Sequence, residues 1–342
     1  MRLDSANRSF FTLASTALVP YVLLGVFGCG VLSLAAYRVA AEGLGGLQRD
    51  GEDLRPAVVF FALVTAGTVV AAVSVRRQLR ATRALDAFLR GRRAQAAPEL
   101  LAAAQRAGLA GRVELVDDAE TFSFTYGLLS PRVVVSRGLA MVLSPDQLEA
   151  VLHHERYHVR NWDTVKVVVA RAAPAAFFFL PALGHLRDRY LAGRELAADR
   201  KAVAALGARP LAGALYHVLE RPAWSEFGAA AALGGSEFLD MRVEQLESGD
   251  EPELAPVPRW AWTVTVAGLL TLTGMFAAAL NRSGGTVTMM GDPGGGAGSA
   301  VLGILGGVVC SVAWVWAGVV VWRRVIGHNG LTRSTPRSTN QS

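Results

Sequence analysis

The chain has 342 residues, of which 52% are hydrophobic and only 18% charged, with a net charge of +6. A mean hydropathy of +0.33 and a pI near 9.8 accompany this. Soluble chains carry roughly 25% charged residues, so the composition argues against an ordinary soluble enzyme and for a membrane protein with a polar middle. The basic balance does not imply direct nucleic-acid binding, because the arginines stand beside apolar runs, where membrane topology accounts for them.

Residues 11–36 (Phe11 to Ala36, with Pro20 inside) form an almost uncharged run. It is long enough to cross a bilayer and too long for the 7–15-residue core of a signal peptide. A Gly-rich, mildly acidic loop follows, and residues 57–75 (Ala57 to Val75) read as a second span. Arg76, Arg77, Arg80, Arg83, Arg90, Arg92 and Arg93 then face a single Asp86. By the positive-inside rule this segment is cytoplasmic and places the N-terminus on the same side. Cys29 and Cys310 both lie in apolar runs, apart from any metal-ligand spacing, and predict neither a zinc site nor a disulfide.

From about Pro98 the pattern becomes that of a globular domain. Glu99 to Ala107 predicts a helix ended by Gly108. Val113 to Val116 predicts a short strand, Thr121 to Tyr126 alternates as a strand does, and Arg132 to Ser136 is a β-branched run. A small sheet here serves either as a packing layer or as an edge strand able to hold an extended peptide.

The next stretch carries the chemistry. Ser144 predicts an N-cap, Pro145 suits the first helical position, and Gln147 completes a capping box. Leu148, Val151, Leu152 and Val159 form an apolar stripe. Beside it stands an H-E-x-x-H pattern, His154-Glu155-x-x-His158. Histidines at i and i+4 share a helix face and can bind one zinc ion, with Glu155 placed to act on a water as general base. His153 projects to the other side, with Glu149, Arg156 and Arg160.

Residues 165–184 (Val165 to Gly184) are again apolar. A single membrane crossing here would separate His154 and His158 from any ligand downstream, and about 20 residues are too few for two crossings. A bent or helix-turn-helix element associated with the bilayer is therefore expected. Tyr190 to Leu206 predicts a helix with Glu195 and Asp199 on one face. Glu195 is the expected third zinc ligand. Asp199 is expected to accept the free N–H of a ligand histidine and fix its tautomer. A salt-bridged helix surface involving Arg194, Arg200 and Lys201 is the plain alternative for this pair. His217 and Tyr216, on the following helix, are candidate donors to the transition-state oxyanion. Residues 222–258 are acidic and Gly/Pro-punctuated, consistent with a short amphipathic helix and a linker. Residues 260–280 and 300–322 read as two further spans. Arg323, Arg324 and Arg333 place the C-terminus inside.

The predicted protein is mainly α: four transmembrane helices flank an α+β HExxH zinc metalloprotease domain with a small sheet. Its expected parts are residues 1–95 (a helix pair and basic cytoplasmic segment), 96–256 (the cytoplasmic protease domain) and 257–342 (a second helix pair and short cytoplasmic tail). The expected setting is the cell membrane, with both termini and the protease domain cytoplasmic.

The run from Phe122 to Leu139 resembles the strand-turn that precedes the zinc helix in BlaR/MecR-type membrane metallopeptidases. His154-Glu155-x-x-His158, Asp163 and Glu195-x-x-x-Asp199 are similar to that family and to its HtpX and CAAX-type relatives. The resemblance covers roughly Leu115 to Leu206. It implies zinc on His154, His158 and Glu195, Glu155 as catalytic base, and Asp163 and Asp199 as supporting acids. It also implies a protein substrate such as a cytoplasmic transcriptional repressor. Tyr157 stands where HtpX-like relatives usually have Gly, which favours the BlaR-like branch. No S-x-x-K motif exists, so a penicillin-binding sensor domain is not expected. Two other functions compete: a housekeeping protease for damaged membrane proteins, and a receptor or scaffold without catalysis.

Overall fold

A computed structural model describes residues 4–22, 55–220 and 238–288. The fold is mostly helical with one small mixed sheet. Packing divides the chain into two units, Met1–Leu18 with Leu63–Gly268, and Val19–Ala62 with Leu269–Ser342. The first holds all the chemistry; the described residues of the second are helical.

The sheet has the order β1-β2-β4-β3, built from Arg93–Ala94 (β1), Val113–Val116 (β2), Ser123–Tyr126 (β3) and Arg132–Ser136 (β4). β2 and β4 run parallel, while β1/β2 and β3/β4 are antiparallel, with Phe124 opposite Val134. The β-branched run Val133-Val134-Val135 is buried throughout because both sheet faces are covered. Val133 and Val135 join Leu115, Leu148, Leu152 and Val159 on one side. Val134 joins Leu85, Leu89, Phe122 and Phe124 on the other. The period-2 alternation of a strand separates these two half-cores.

The first described helix, α1, covers residues 5–22. It is followed by α2 (Arg55–Arg90), α3 (Pro98–Arg106), α4 (Arg137–Val142) and α5 (Pro145–Asn161). Then come α6 (Asp163–Ala176), α7 (Pro181–Leu206), α8 (Ala208–Glu220), α9 (Leu239–Ser248) and α10 (Arg259–Thr288). The last turns of α2 supply Leu85 and Leu89 to the sheet. Arg92 and Arg93, just beyond them, pair with Asp118 and Glu114.

Residues 165–184 fold as a helical hairpin. α6 ends at Ala176, Phe177–Phe179 form the turn, and Pro181 opens α7 at a position where its missing N–H costs nothing. α7 therefore begins about two and a half turns before the Tyr190 start that the sequence suggests. Its middle, Tyr190 to Asp199, is buried on every side. α1 lies against it. Ala6 and Leu13 are fully buried, the Phe10 and Tyr190 rings are 5.3 Å apart, and a Cβ on Gly193 would stand 3.3 Å from Ala6.

The four-span layout expected from the sequence is corrected by this structure. Among the described residues no helix is long and apolar enough to cross a membrane. Run length counts apolar residues without knowing what they face, and here part of each of the first three runs is used for packing inside the protein. Leu13 of the first run and Gly67 of the second are buried, Gly67 against the Ala176 carbonyl. In the third, Ala261 is fully buried and the equally buried Thr265 hydroxyl accepts the Ala182 N–H at 3.1 Å. Residues 23–36 of the first run and the whole of 300–322 lie outside the described residues.

Candidate metal centre and active site

α5 is held in place before any chemistry is added. The Ser144 hydroxyl accepts the Gln147 N–H and the Gln147 side chain accepts the Ser144 N–H, with Pro145 at N1. Its apolar stripe then seats it on the sheet, leaving His154, Glu155 and His158 on the face that meets α7 and β3. All three are buried.

His154, His158 and Glu195 offer one ligand atom each within a sphere of 4.8 Å. The two Nε2 atoms are 3.1 Å apart, and Glu195 Oε2 stands 3.5 Å from one and 3.8 Å from the other. Each Nδ1 faces a carboxylate, Asp199 Oδ1 at 2.7 Å for His154 and Asp163 Oδ2 at 2.6 Å for His158. Those carboxylates draw the ring N–H to the Nδ1 side. Both Nε2 atoms and a carboxylate oxygen then converge on one point, an arrangement that suits a bound cation, or a proton on His154 in its place. Donors at about 2.0–2.1 Å around a tetrahedral ion stand roughly 3.3 Å apart, so the residues fit a divalent metal.

Electrostatics point the same way. Burial would raise the Glu195 carboxyl, but the Arg194 guanidinium at 3.0 Å and the facing imidazoles hold it well below the usual carboxylate range. Burial likewise disfavours a charged Asp199, and Arg242 and His154 overrule it. Burial opposes charge on His154, while Asp199 outweighs it and pushes the imidazole up to about 9. A metal must therefore displace a proton to bind there.

Glu155, buried and next to His154 in the chain, is held by two hydroxyls. Thr125 donates its hydroxyl to Oε2 at 2.7 Å and Ser123 donates to Oε1 at 3.3 Å. Both come from β3, the edge strand of the sheet, so one strand both flanks the site and fixes its free carboxylate.

Asp163 reaches His158 through a tight turn. Trp162 closes α5 and opens α6 in the left-handed region, at φ 57°. Among the described residues it is the sole non-glycine there. The conformation costs a bulky residue roughly 1–2 kcal/mol and turns the chain so that Asp163 faces back to the histidine. Asp163 Oδ1 accepts from Asn161 at 2.6 Å and from the Tyr190 hydroxyl at 3.0 Å. Asn161 in turn accepts from Lys166 and Asn7, and Tyr157 donates to Asp4. α1 is thus tied to the lower end of α5.

His217 and Tyr216 lie on α8, which packs against α5 and α7. Tyr216 is 59% exposed, and the His217 main-chain carbonyl accepts from Thr121. His153 is half-buried beside Glu149. The residues that sequence reading passed over are Arg242, Tyr190 and the β3 hydroxyls. Arg242 sits in the acidic stretch that predicts a short amphipathic helix and a linker. The available signal was its register: Leu239, Arg242 and Leu246 fall at i, i+3 and i+7, which puts an arginine on the apolar face of a short helix.

A helix-borne histidine pair, a buried glutamate from a second helix and an adjacent free carboxylate define the site of a metallopeptidase. The chain belongs to the BlaR1 peptidase M56 family, whose model matches residues 52–246. It is also similar to Protease HtpX homolog of Herminiimonas arsenicoxydans, at 35% identity over 95 residues. That match covers 27% of this chain and 32% of the relative. Protease HtpX of Psychrobacter sp. (strain PRwf-1) is 36% identical over 87 residues, covering 24% of this chain and 29% of the relative. The chain thus spans about a third of the length of the curated relatives it matches.

Proposed function

We propose that this protein is a zinc-dependent endopeptidase working at the membrane, with its active site on the cytoplasmic side, and that it signals by cleaving a repressor protein. The observation that carries the catalytic part is the convergence of His154 Nε2, His158 Nε2 and Glu195 Oε2 beside a carboxylate held by Thr125 and Ser123. Membership of the BlaR1 family supports the signalling part. The arginines from Arg76 to Arg93 support the cytoplasmic side.

His154, His158 and Glu195 would hold the ion, with Asp199 and Asp163 as its supporting acids. When bound, zinc supplies Lewis acidity for a peptide carbonyl and makes a water acidic near neutral pH. The chain's own residues do the rest. The Glu155 carboxylate takes the water's proton and returns it to the leaving amine. Thr125 and Ser123 keep that carboxylate turned towards the site. Arg194 holds the outer oxygen of Glu195, leaving Oε2 to the histidines. Burial of the whole group excludes competing water. His217 or Tyr216 would donate to the oxyanion.

Hydrolysis of a model protein substrate by Glu155→Gln tests the mechanism. Activity should fall at least about 10²-fold with zinc content unchanged, and an active Glu155→Gln would sink it. A quality-control role is the second reading, favoured by the HtpX names of the relatives. Cleavage of damaged membrane proteins in preference to any repressor would decide for it.

A further inference from the structure

His154 depends on a residue that lies outside the metal-binding helices altogether. Asp199, fully buried, gives Oδ1 to His154 Nδ1 at 2.7 Å. The same carboxylate receives a side-on fork from Arg242, Nε to Oδ2 at 2.7 Å and Nη2 to Oδ1 at 2.8 Å. Three elements are joined in series, α5, α7 and α9, across sequence separations of 45 and 43 residues. We propose that Arg242 is a positioning residue of the metal centre: by locking the plane of Asp199 it sets the ring orientation and tautomer of His154. This rests on the metallopeptidase reading above.

Arg242 acts on a torsion. An aspartate with one hydrogen-bond partner can turn about its last torsion and present either oxygen, a broad and roughly two-fold freedom. Two parallel N–H donors from one planar guanidinium remove that freedom. Arg242 is itself 8% exposed, so its charge has no solvent to turn to and stays on Asp199. α9 is docked independently of this pair. Gln245 donates to the Leu196 carbonyl at 3.0 Å, and Leu246 packs with Ala150, Ala202 and Leu211. Arg242 is thus spared the task of anchoring the helix alone, and its fork serves the carboxylate. His158 has no counterpart to this arrangement, since its Asp163 is held by Asn161 and Tyr190 from α5 and α7 themselves.

The test compares zinc affinity, by competition with a chromogenic chelator, in the full chain and in Arg242→Gln, Arg242→Lys and Gln245→Ala. Wild type should bind one zinc. Arg242→Gln should bind it 10- to 100-fold more weakly, as removal of an outer partner of a ligand histidine does, with kcat falling and KM for a protein substrate little changed. Arg242→Lys should recover part of the loss, because it restores the charge without the fork. It also decides the matter if Arg242→Gln does not fold. Gln245→Ala should lower thermal stability with zinc affinity near wild type. Wild-type zinc affinity in both Arg242 variants would overturn the proposal. So would equal losses in Arg242→Gln and Gln245→Ala, which would make Arg242 merely a helix anchor. Absence of zinc binding in the wild type would instead bring down the underlying metallopeptidase reading.

Discussion

The two histidines of α5 stand one helical turn apart, yet they are held by different physics. His154 leans on Asp199, an acid 45 residues away, which is kept charged by a buried arginine from a third helix. His158 leans on Asp163, five residues away, held by an amide and a phenol. The first arm is ionic and long-range, and it closes when α9 docks. The second takes its acid from the left-handed turn at Trp162 and has neutral direct donors, with the buried Lys166 and Arg194 acting on Asp163 only through space. One ion would therefore report on two kinds of folding event.

The sharpest way to break the symmetry is to neutralise each acid in turn. Asp199→Asn strands the buried Arg242 charge, so about 3–5 kcal/mol of stability should be lost, read as a lowered denaturant midpoint. If Asp199→Asn and Asp163→Asn cost the same, the ionic arm is no different from the neutral one.

Next in size is a pH effect. With chelator present, the Asp199–His154 pair contributes stability that is complete below the unfolded imidazole value of about 6.5. It is lost as pH rises through about 9. This follows from a folded pKa raised above the unfolded one, so the protein binds more protons than its unfolded chain in that window. Zinc affinity should rise over the same range. Unfolding followed from pH 6 to 10 should show a slope in wild type and in Asp163→Asn, and a flattened one in Asp199→Asn. A flat wild-type profile would remove the ionic character assigned to the first arm.

Asp163→Asn should cost less, about 1–3 kcal/mol, because its direct donors are neutral and the buried Lys166 and Arg194 near it keep other partners in Asn7, Asn161 and Glu195. Zinc affinity should still fall, since the His158 tautomer loses its partner. Tyr190→Phe removes one of the two donors to Asp163 and should cost about 1 kcal/mol, with a few-fold loss of zinc affinity. Smallest at the site is Ser144→Ala. It should take about 1 kcal/mol from the α5 cap and leave zinc affinity unmoved, separating helix stability from ligand positioning.

Legibility followed sequence distance. The cap at Ser144, the apolar stripe of α5, the end of α3 near Gly108 and the β4 run were all readable, because each is set by neighbours within a turn or two. The shared face of His154 and His158 follows from i,i+4 spacing alone. A bent or helix-turn-helix form for residues 165–184 followed from requiring Glu195 near the histidines, and the segment is a helix, a turn at Phe177–Phe179 and a second helix. The four spans were not safely readable, since apolarity does not say whether Leu13, Ala261 or Thr265 faces lipid or α7. Arg242 was hidden by its acidic surroundings, and the Ser123 and Thr125 hydroxyls by looking like ordinary strand residues.

By itself, then, the sequence determined the pieces whose partners are local: the capped helix, the histidine pair, the adjacent Glu155 and the acidic pair one turn apart on the next long helix. Only tertiary structure decided which carboxylate meets which ring nitrogen, that Arg194 and Arg242 are buried counter-charges instead of surface ones, and that α1 is bound to the end of the histidine helix. Those contacts join segments 40 to 160 residues apart. Their energy comes from burial and from charge neutralised out of water, and neither quantity is a property of any one stretch of chain.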